Sequence, residues 1–362
     1  MGMDIHASRV RRLLEQLQEQ GAQQMLITDA NSIYYLTGHM IHSGSRLMAL
    51  LLRSDGAHRL FLNQIFPLPE HLGIEVVRYC DTDSVAEKIA DHTDPSHTLG
   101  IDQKMPAGYL LALQELGAAS AYRNTSGCLS FVRGQKDAQE QEKMRQASRI
   151  NDLAMAEFKK LIRPGVSELD VARQIEGIYR ALGADGISFG PLVSFGKNAA
   201  DPHHRPDQTV IQSGDVVLFD VGCKKDHYCS DMTRTFFYQS VTPEQREVYE
   251  TVLRANLAGE AAIKPGARFC DVDHAARSVI EQAGFGEFFT HRLGHSIGLD
   301  VHEPGDANPY NTDRLREGNI FSCEPGVYLK GRFGVRIEDL CLVTADGLEK
   351  LNQYPKQLEI IP

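Results

Sequence analysis

The stretch Gly214-Asp215-Val216-Val217-Leu218-Phe219-Asp220-Val221-Gly222-Cys223-Lys224-Lys225-Asp226-His227-Tyr228-Cys229-Ser230-Asp231-Met232-Thr233-Arg234-Thr235-Phe236-Phe237-Tyr238 carries two strand signals around a polar turn. Val216-Val217-Leu218-Phe219 is an uninterrupted apolar run, as in a strand buried on both faces. Met232 to Phe237 is rich in β-branched and aromatic residues. Lys224-Lys225-Asp226 lies between them. A hairpin folded between Lys225 and Asp226 pairs positions summing to 451, which sets Asp220 opposite Asp231. Two like charges facing each other on a sheet repel. Burying them costs several kcal/mol more unless a cation lies between them. Solvated strand ends are the plainer reading, and the apolar runs beside both acids argue against it.

A second acid pair repeats the arrangement. Glu324 follows Ile320-Phe321-Ser322-Cys323, Glu338 ends Val335-Arg336-Ile337-Glu338, and their midpoint is Gly331. Together the four acids carry a formal charge that two divalent cations would neutralise. Hard oxygen donors suit Mg²⁺, Mn²⁺ or Fe²⁺, and an imidazole shifts preference toward transition metals. Between the two pairs runs His291-Arg292-Leu293-Gly294-His295-Ser296-Ile297-Gly298-Leu299-Asp300-Val301-His302-Glu303, with three histidines. A lone histidine there would read as a structural residue; beside two acid pairs it reads as a ligand candidate.

Gly294-His295-Ser296-Ile297-Gly298 also fits G-x-S-x-G, the nucleophile elbow of serine hydrolases. That motif needs an acid and then a histidine well downstream. Only His302 follows Ser296, six residues on, so the hydrolase reading is set aside.

Outward from this region, 362 residues imply two or three domains at about 150 residues each. Val10, Leu13, Leu14 and Leu17 predict an opening amphipathic helix that ends near Gly21. Strand-like stretches follow at residues 24–28, 48–53, 59–63, 75–79 and 99–102, separated by loops at Pro67, Pro69 and residues 91–95. This predicts an α/β domain over residues 1–134, then a catalytic domain over 135–362. A helix is expected from Ala138, with Glu140, Glu142, Lys143 and Arg145 on its polar face. Ile162-Arg163-Pro164-Gly165 recurs as Ile263-Lys264-Pro265-Gly266, and at the same offset Asp170-Val171 matches Asp271-Val272 and Gly183 matches Gly284. The echo predicts a duplicated, pseudo-twofold domain with its site between the halves.

Composition narrows the function. Apolar residues make up 42% and charged residues 24%, a globular balance. No apolar run is long enough for a membrane span. The first residues lack a secretory pattern, so a cytoplasmic protein is expected. With 48 acids against 38 bases the formal charge is −10, which disfavours nucleic acid and anionic membranes as partners. Seven cysteines without a C-x-x-C pair predict free thiols rather than a disulfide or zinc framework.

With these residues in place, the chain resembles the pita-bread metallopeptidases, which include prolidase (Xaa-Pro dipeptidase), aminopeptidase P and methionine aminopeptidase. The resemblance rests on Asp220-Val221-Gly222, Ser230-Asp231-Met232-Thr233-Arg234-Thr235, His295, Glu324-Pro325-Gly326-Val327-Tyr328 and Arg336-Ile337-Glu338-Asp339. It implies an α/β N-terminal domain and an α+β catalytic domain with pseudo-twofold halves. It implies a dinuclear centre, manganese with cobalt, zinc or iron as alternatives, held by Asp220, Asp231, His295, Glu324 and Glu338. Asp231 and Glu338 would bridge the two ions, and a water or hydroxide between them would be the nucleophile. Glu324 would act as general base. His203, in Asp201-Pro202-His203-His204-Arg205-Pro206, would handle the leaving amine, and His302 the substrate carbonyl. Arg336 would orient substrate or neighbouring groups.

The implied substrates are short proline-containing peptides, and the implied assembly is a homodimer to which His39, His42 and Arg46 lend loop residues. The spacing of the glutamates and the N-terminal domain resemble prolidases and short aminopeptidase P-like proteins. Two departures stand out. Ser296 replaces the family's usual glycine, and Pro304-Gly305-Asp306 lacks the arginine that many prolidases place after the second histidine. Aminopeptidase P-like cleavage of longer peptides, and a metal hydrolase acting on a non-peptide substrate, therefore stay open. A metal-free creatinase-like enzyme and a non-enzymatic binding module fit less well, because the ligand set is intact.

Overall fold

The computed structural model describes residues 6–68 and 73–362; the expected loop residue Pro69 and residues 1–5 of the opening segment lie outside them. Chain contacts divide it into two compact units that meet in sequence at Arg133 and Gly134.

The first unit is a single mixed sheet with helices. Its elements are α1 (Ala7–Glu19), β1 (Gln24–Ile27), α2 (Ala30–Thr37), β2 (Ala49–Arg53), β3 (Arg59–Asn63), β4 (Glu75–Tyr79), α3 (Val85–Ala90), β5 (Thr98–Ile101), α4 (Ala107–Glu115), β6 (Ala121–Asn124) and α5 (Ser126–Arg133). The strand order is β4-β3-β2-β1-β5-β6. β1 runs parallel to β5 and β5 to β6, whereas β1, β2 and β3 form an antiparallel meander. In α1 the residues at helical spacing, Val10, Leu13 and Leu17, are buried. Arg46 donates to Asp81 from Nε and Nη2, both at 2.7 Å, and His42 is exposed.

The second unit opens with α6 (Ala138–Lys159) and α7 (Glu168–Ala181), followed by β7 (Gly186–Ile187), β8 (Leu192–Phe195), β9 (Val216–Val221), β10 (Cys223–Lys225), β11 (Tyr228–Cys229) and β12 (Met232–Tyr238). Next come α8 (Pro243–Ala262), α9 (Phe269–Gln282), β13 (Gly294–Ser296), β14 (Glu303–Ala307), β15 (Ile320–Cys323), β16 (Gly326–Leu329), β17 (Phe333–Arg336), β18 (Asp339–Thr344), β19 (Gly347–Lys350) and β20 (Ile360–Ile361). Two helix–Pro-Gly–helix segments thus precede two groups of strands, as the internal repeat predicted. Gly165 and Gly266 occupy matching left-handed positions, φ 81° and 84°. Gly183 and Gly284 do the same after α7 and α9, at 93° and 83°. This is the α+β pita-bread architecture. Among the described residues no helix is long and apolar enough to cross a membrane.

Two apolar cores flank the central sheet β20-β12-β9-β8. Val217, Phe219, Val221, Phe236 and Tyr238 enter the core built with α6 and α7. Val216, Leu218 and Phe237 enter the core built with α8 and α9. Successive strand residues point to opposite faces, so apolar neighbours serve both cores. That is why the run Val216–Phe219 does not alternate in polarity.

The structure corrects two sequence expectations. The β9–β12 hairpin pairs Asp220 with Thr233, not with Asp231. Asp226 and His227, at φ 48° and 71°, form the turn, so Lys225 pairs with Tyr228 and the fold line shifts by one residue. Two left-handed turn residues match the twist of paired strands, and aspartate tolerates that conformation. Asp185 Oδ2 accepts the Asp226 amide at 2.6 Å and holds the turn. Glu140, expected on the polar face of α6, is buried. It forms a capping box with Asp137, and Tyr228 Oη donates to its Oε1 at 2.9 Å. The second hairpin matches the expectation: β16 and β17 pair Gly326 with Arg336 and Leu329 with Phe333 about Gly331, at φ 75°.

Candidate metal centre

Strand parity aims the first acid. Asp220 shares the face of Val216 and Leu218, the side turned toward the second half of the repeat. Its cross-strand neighbour Thr233 donates from Oγ1 to Glu338 Oε2 at 2.6 Å. Thr235, two residues on, donates from Oγ1 to the Arg336 carbonyl at 2.8 Å. Asp231 lies just before β12, where the ladder is interrupted. From the other half, Glu324 and Glu338 occupy the gap between two ladders, one pairing Cys323 with Asp339 and the other Gly326 with Arg336. His295 is the middle residue of β13.

One cleft is lined by Asp220, Asp231, His295, Glu324 and Glu338, and also by His203, His302 and Arg336. The residues singled out as ligands, catalytic groups and substrate contacts of the catalytic domain therefore line one cavity, whereas His39, His42 and Arg46 are not among its lining. Asp231, His295 and Glu338 bring ligand-type atoms within 4.8 Å of one another. His295 Nε2 is 3.7 Å from Asp231 Oδ2 and 3.5 Å from Glu324 Oε1. Asp220 stands apart from that trio, its Oδ2 accepting from Arg336 Nη2 at 2.6 Å. The His302 ring lies 4.2 Å from that of His295, centroid to centroid, and is exposed. Ser296 donates from Oγ to the Gly305 carbonyl at 2.8 Å, a structural contact.

The electrostatics ask for cations. Burial first, then Glu338, Asp220 and Glu324, pushes the Asp231 carboxyl well above its ordinary range. Burial, then Glu324 and Asp220, does the same to Glu338. Burial holds the His295 imidazole down at about 4, so it is neutral at physiological pH. Its Nδ1 lies 3.2 Å from the Ser296 carbonyl, which can only accept, so Nδ1 carries the proton. The Nε2 lone pair then points toward the acids, the tautomer a metal ligand requires. Asp231 Oδ1 and Glu338 Oε1 are buried and have no hydrogen-bond partner. Ionised Asp231 and Glu338 and the neutral His295 Nε2 can only accept, so in these forms three acceptors converge. A divalent metal ion fits this set.

Several contributors escaped the sequence reading. Arg234 is buried among five acceptors: the carbonyls of Thr233, Glu338, Tyr354 and Pro355 and the Asp339 carboxylate. All five guanidinium N–H groups are used, which is what makes burying the charge tolerable. Lys356 continues this lattice to Asp339 at 2.8 Å and Glu260 at 2.7 Å. Tyr328 Oη accepts from Arg336 at 2.7 Å and lies 2.9 Å from His291 Nε2. Lys136 donates to Glu303 Oε2 at 2.8 Å beside His302, both side chains buried. Tyr328, Arg234 and Glu303 stand inside the quoted motifs, but no local pattern announced the pairings they make. The seven thiols are free, five of them buried.

Comparison with known proteins agrees with this geometry. Residues 142–345 match the model of metallopeptidase family M24, and residues 9–134 match the creatinase/prolidase N-terminal domain. A Bacillus subtilis (strain 168) protein named "Putative dipeptidase YkvY" is 35% identical, the match covering 98% of this chain and 100% of the relative. The prolidase of Thermococcus sibiricus superposes with a TM-score of 0.91 at 33% identity, over 98% of this chain and 99% of the other. Dipeptidase PepE of Mycobacterium ulcerans gives 0.92 at 31% identity, over 99% and 98%. The chain belongs to metallopeptidase family M24, with a creatinase/prolidase N-terminal domain ahead of its pita-bread catalytic domain.

Proposed function

We propose that this protein hydrolyses the Xaa-Pro bond of dipeptides or other short peptides at a dinuclear centre held by Asp220, Asp231, His295, Glu324 and Glu338. The observation that carries the reading is the pair of partnerless buried oxygens, Asp231 Oδ1 and Glu338 Oε1, beside a deprotonated His295 Nε2. Bound divalent ions there supply Lewis acidity and lower the pKa of a water toward neutrality.

The residues divide the remaining work. Glu324 borders the cleft and is not fully buried, so it can accept the proton of the attacking water. His302, which lines the cleft beside His295, offers a donor to the carbonyl oxygen as charge develops on it. Burial and the neighbouring His295 lower the pKa of His302, so its donor is a neutral N–H. His203 stands at the cleft wall beside Pro202, placed to protonate the leaving amine. Arg336 fixes Asp220 and is itself fixed by Tyr328 and Thr233. Phe189, Leu192 and Val301 give the wall an apolar part suited to a pyrrolidine ring. A proline leaving group has no amide N–H, so recognition falls to ring packing and the histidines.

Dialysis against chelator, metal analysis, and assay on a panel of Xaa-Pro dipeptides, tripeptides and non-peptide esters test this. Loss of Xaa-Pro cleavage on metal removal and its return on reloading with manganese, cobalt, zinc or iron are expected. Unchanged activity in a metal-free preparation would sink the mechanism. Turnover of the esters alone would sink the substrate assignment.

A further inference from the structure

Away from the metal centre, Glu168 is a fully buried carboxylate that no step of the proposed reaction uses. It is the first residue of α7, where the helix dipole favours a negative charge. Oε1 accepts from the Phe195 amide at 2.7 Å and from Asn198 Nδ2 at 2.9 Å. Oε2 is paired with His204 Nε2 at 2.7 Å and accepts from the Asp207 amide at 3.1 Å. The four partners come from both sides of His203. Phe195, the last residue of β8, and Asn198, three residues further on, precede it, and His204 and Asp207 follow it. His203 has its own amide tied to Asp201 Oδ1 at 2.9 Å, and its exposed side chain lines the cleft.

We infer that Glu168 and His204 form a positioning latch that sets the His203 loop against the substrate cleft. Glu168, His204 and Asp207 also have the residue types of a metal site. Both Glu168 oxygens, however, are already filled by donors, so the cluster is closed rather than open to a cation. Only a carboxylate accepts from four donors at once. A glutamine there would turn an N–H₂ toward either the Phe195 or the Asp207 amide, donor against donor. After His203 the His204 side chain bonds Glu168, beside backbone bonds from the Glu168 and Leu169 amides to the Thr209 and Asp207 carbonyls. Displacement of a reacting group by about 1 Å can cost on the order of a hundredfold in rate.

The inference rests on the role proposed for His203, and two measurements separate them. In the metal-loaded enzyme, His204→Phe should lower kcat for an Xaa-Pro dipeptide about tenfold to a hundredfold with unchanged metal content. His204→Gln, which keeps a donor for Glu168, should restore most of it. In a His203→Ala background the same His204→Phe change should cost less than about threefold, because the group it positions is gone. An equal cost in both backgrounds overturns the latch. Amide hydrogen exchange reads the loop directly: His204→Phe should speed exchange over residues 198–209 and leave residues 216–238 unchanged. Unaltered exchange in the loop also overturns the latch. Faster loop exchange together with a His203→Ala enzyme of full activity would instead remove His203 from the reaction and leave Glu168 and His204 as a loop anchor only.

Discussion

Arg336 Nη2 donates to Asp220 Oδ2 at 2.6 Å, from a side chain only 3% accessible. It is thus a buried cation beside four acids, and its other nitrogens go to Tyr328 Oη and Thr233 Oγ1. Removing one partner of a buried pair typically costs about 3–5 kcal/mol. Arg336→Met should therefore lower the melting temperature of the chelated protein. Divalent metal supplies compensating charge, so the rise in Tm on reloading should be larger in R336M than in the parent. Thermal unfolding with and without chelator measures both, and an equal metal-induced rise would show that Arg336 is not charge compensation.

Asp231→Asn removes a charge and one of that side chain's two acceptor oxygens from the trio with His295 and Glu338. Metal content and activity should fall together, by elemental analysis and peptide assay. Retention of two metal equivalents with normal turnover would remove Asp231 from the ligand set.

The same acids give the chelated protein a pH signature. Asp231 and Glu338 have carboxyl pKa values raised in the folded state, chiefly by burial. A raised pKa means the folded form binds more protons than the unfolded one above the ordinary carboxylate range. The stabilisation is complete below that range and is lost as pH rises through the raised values. Chelated protein should therefore lose stability as the pH rises above the ordinary carboxylate range, and D231N should flatten that slope. Loaded protein should show the opposite trend, since protons compete with the cations. Denaturant midpoints across this range decide it; a chelated slope identical in D231N would rule out Asp231 as its source.

How much of this was legible beforehand follows from which interactions are local. Strand parity and flanking apolar runs are short-range signals, so Glu324 and Glu338 came out opposite each other about Gly331. The first hairpin was set one residue off, because Asp226 and His227 adopt left-handed turn conformations that no glycine announces. The slip changed the partner of Asp220 without changing its face, since facing positions moved by two and strands alternate with period two. The Pro-Gly echo gave the duplicated halves for the same local reason. Arg234, Lys356 and Lys136 were invisible as site supports, since Glu338, Asn256 and Glu303, which they reach in turn, lie about a hundred residues or more away. Charge in a sequence reads as surface until the fold shows which acceptors enclose it.

His302→Ala should separate catalysis from metal binding. The ring is exposed, and its centroid lies 4.2 Å from that of His295. Loss of one donor to a developing oxyanion typically costs a factor of about 10² to 10³ in kcat. H302A should therefore keep its metal and lose turnover by about that factor, with KM changed much less. Loss of metal in H302A would place the ring among the ligands.

The brace beneath His302 yields the last prediction. Lys136 Nζ donates to Glu303 Oε2 at 2.8 Å, with side-chain exposures of 1% and 5%. Glu303 Oε1 accepts from the Leu299 amide at 3.1 Å, which folds the turn that carries His302. The Lys136 amide is itself anchored on the Gly318 carbonyl at 2.8 Å. Lys136→Met leaves a carboxylate buried without its cation and should cost about 3–5 kcal/mol. Glu303→Gln in the same chain removes that orphaned charge while its side-chain oxygen can still accept from Leu299. The double variant should be less destabilised than the sum of the two single changes by about 1 kcal/mol or more. Strict additivity in denaturant unfolding would show that Lys136 and Glu303 do not act as a pair.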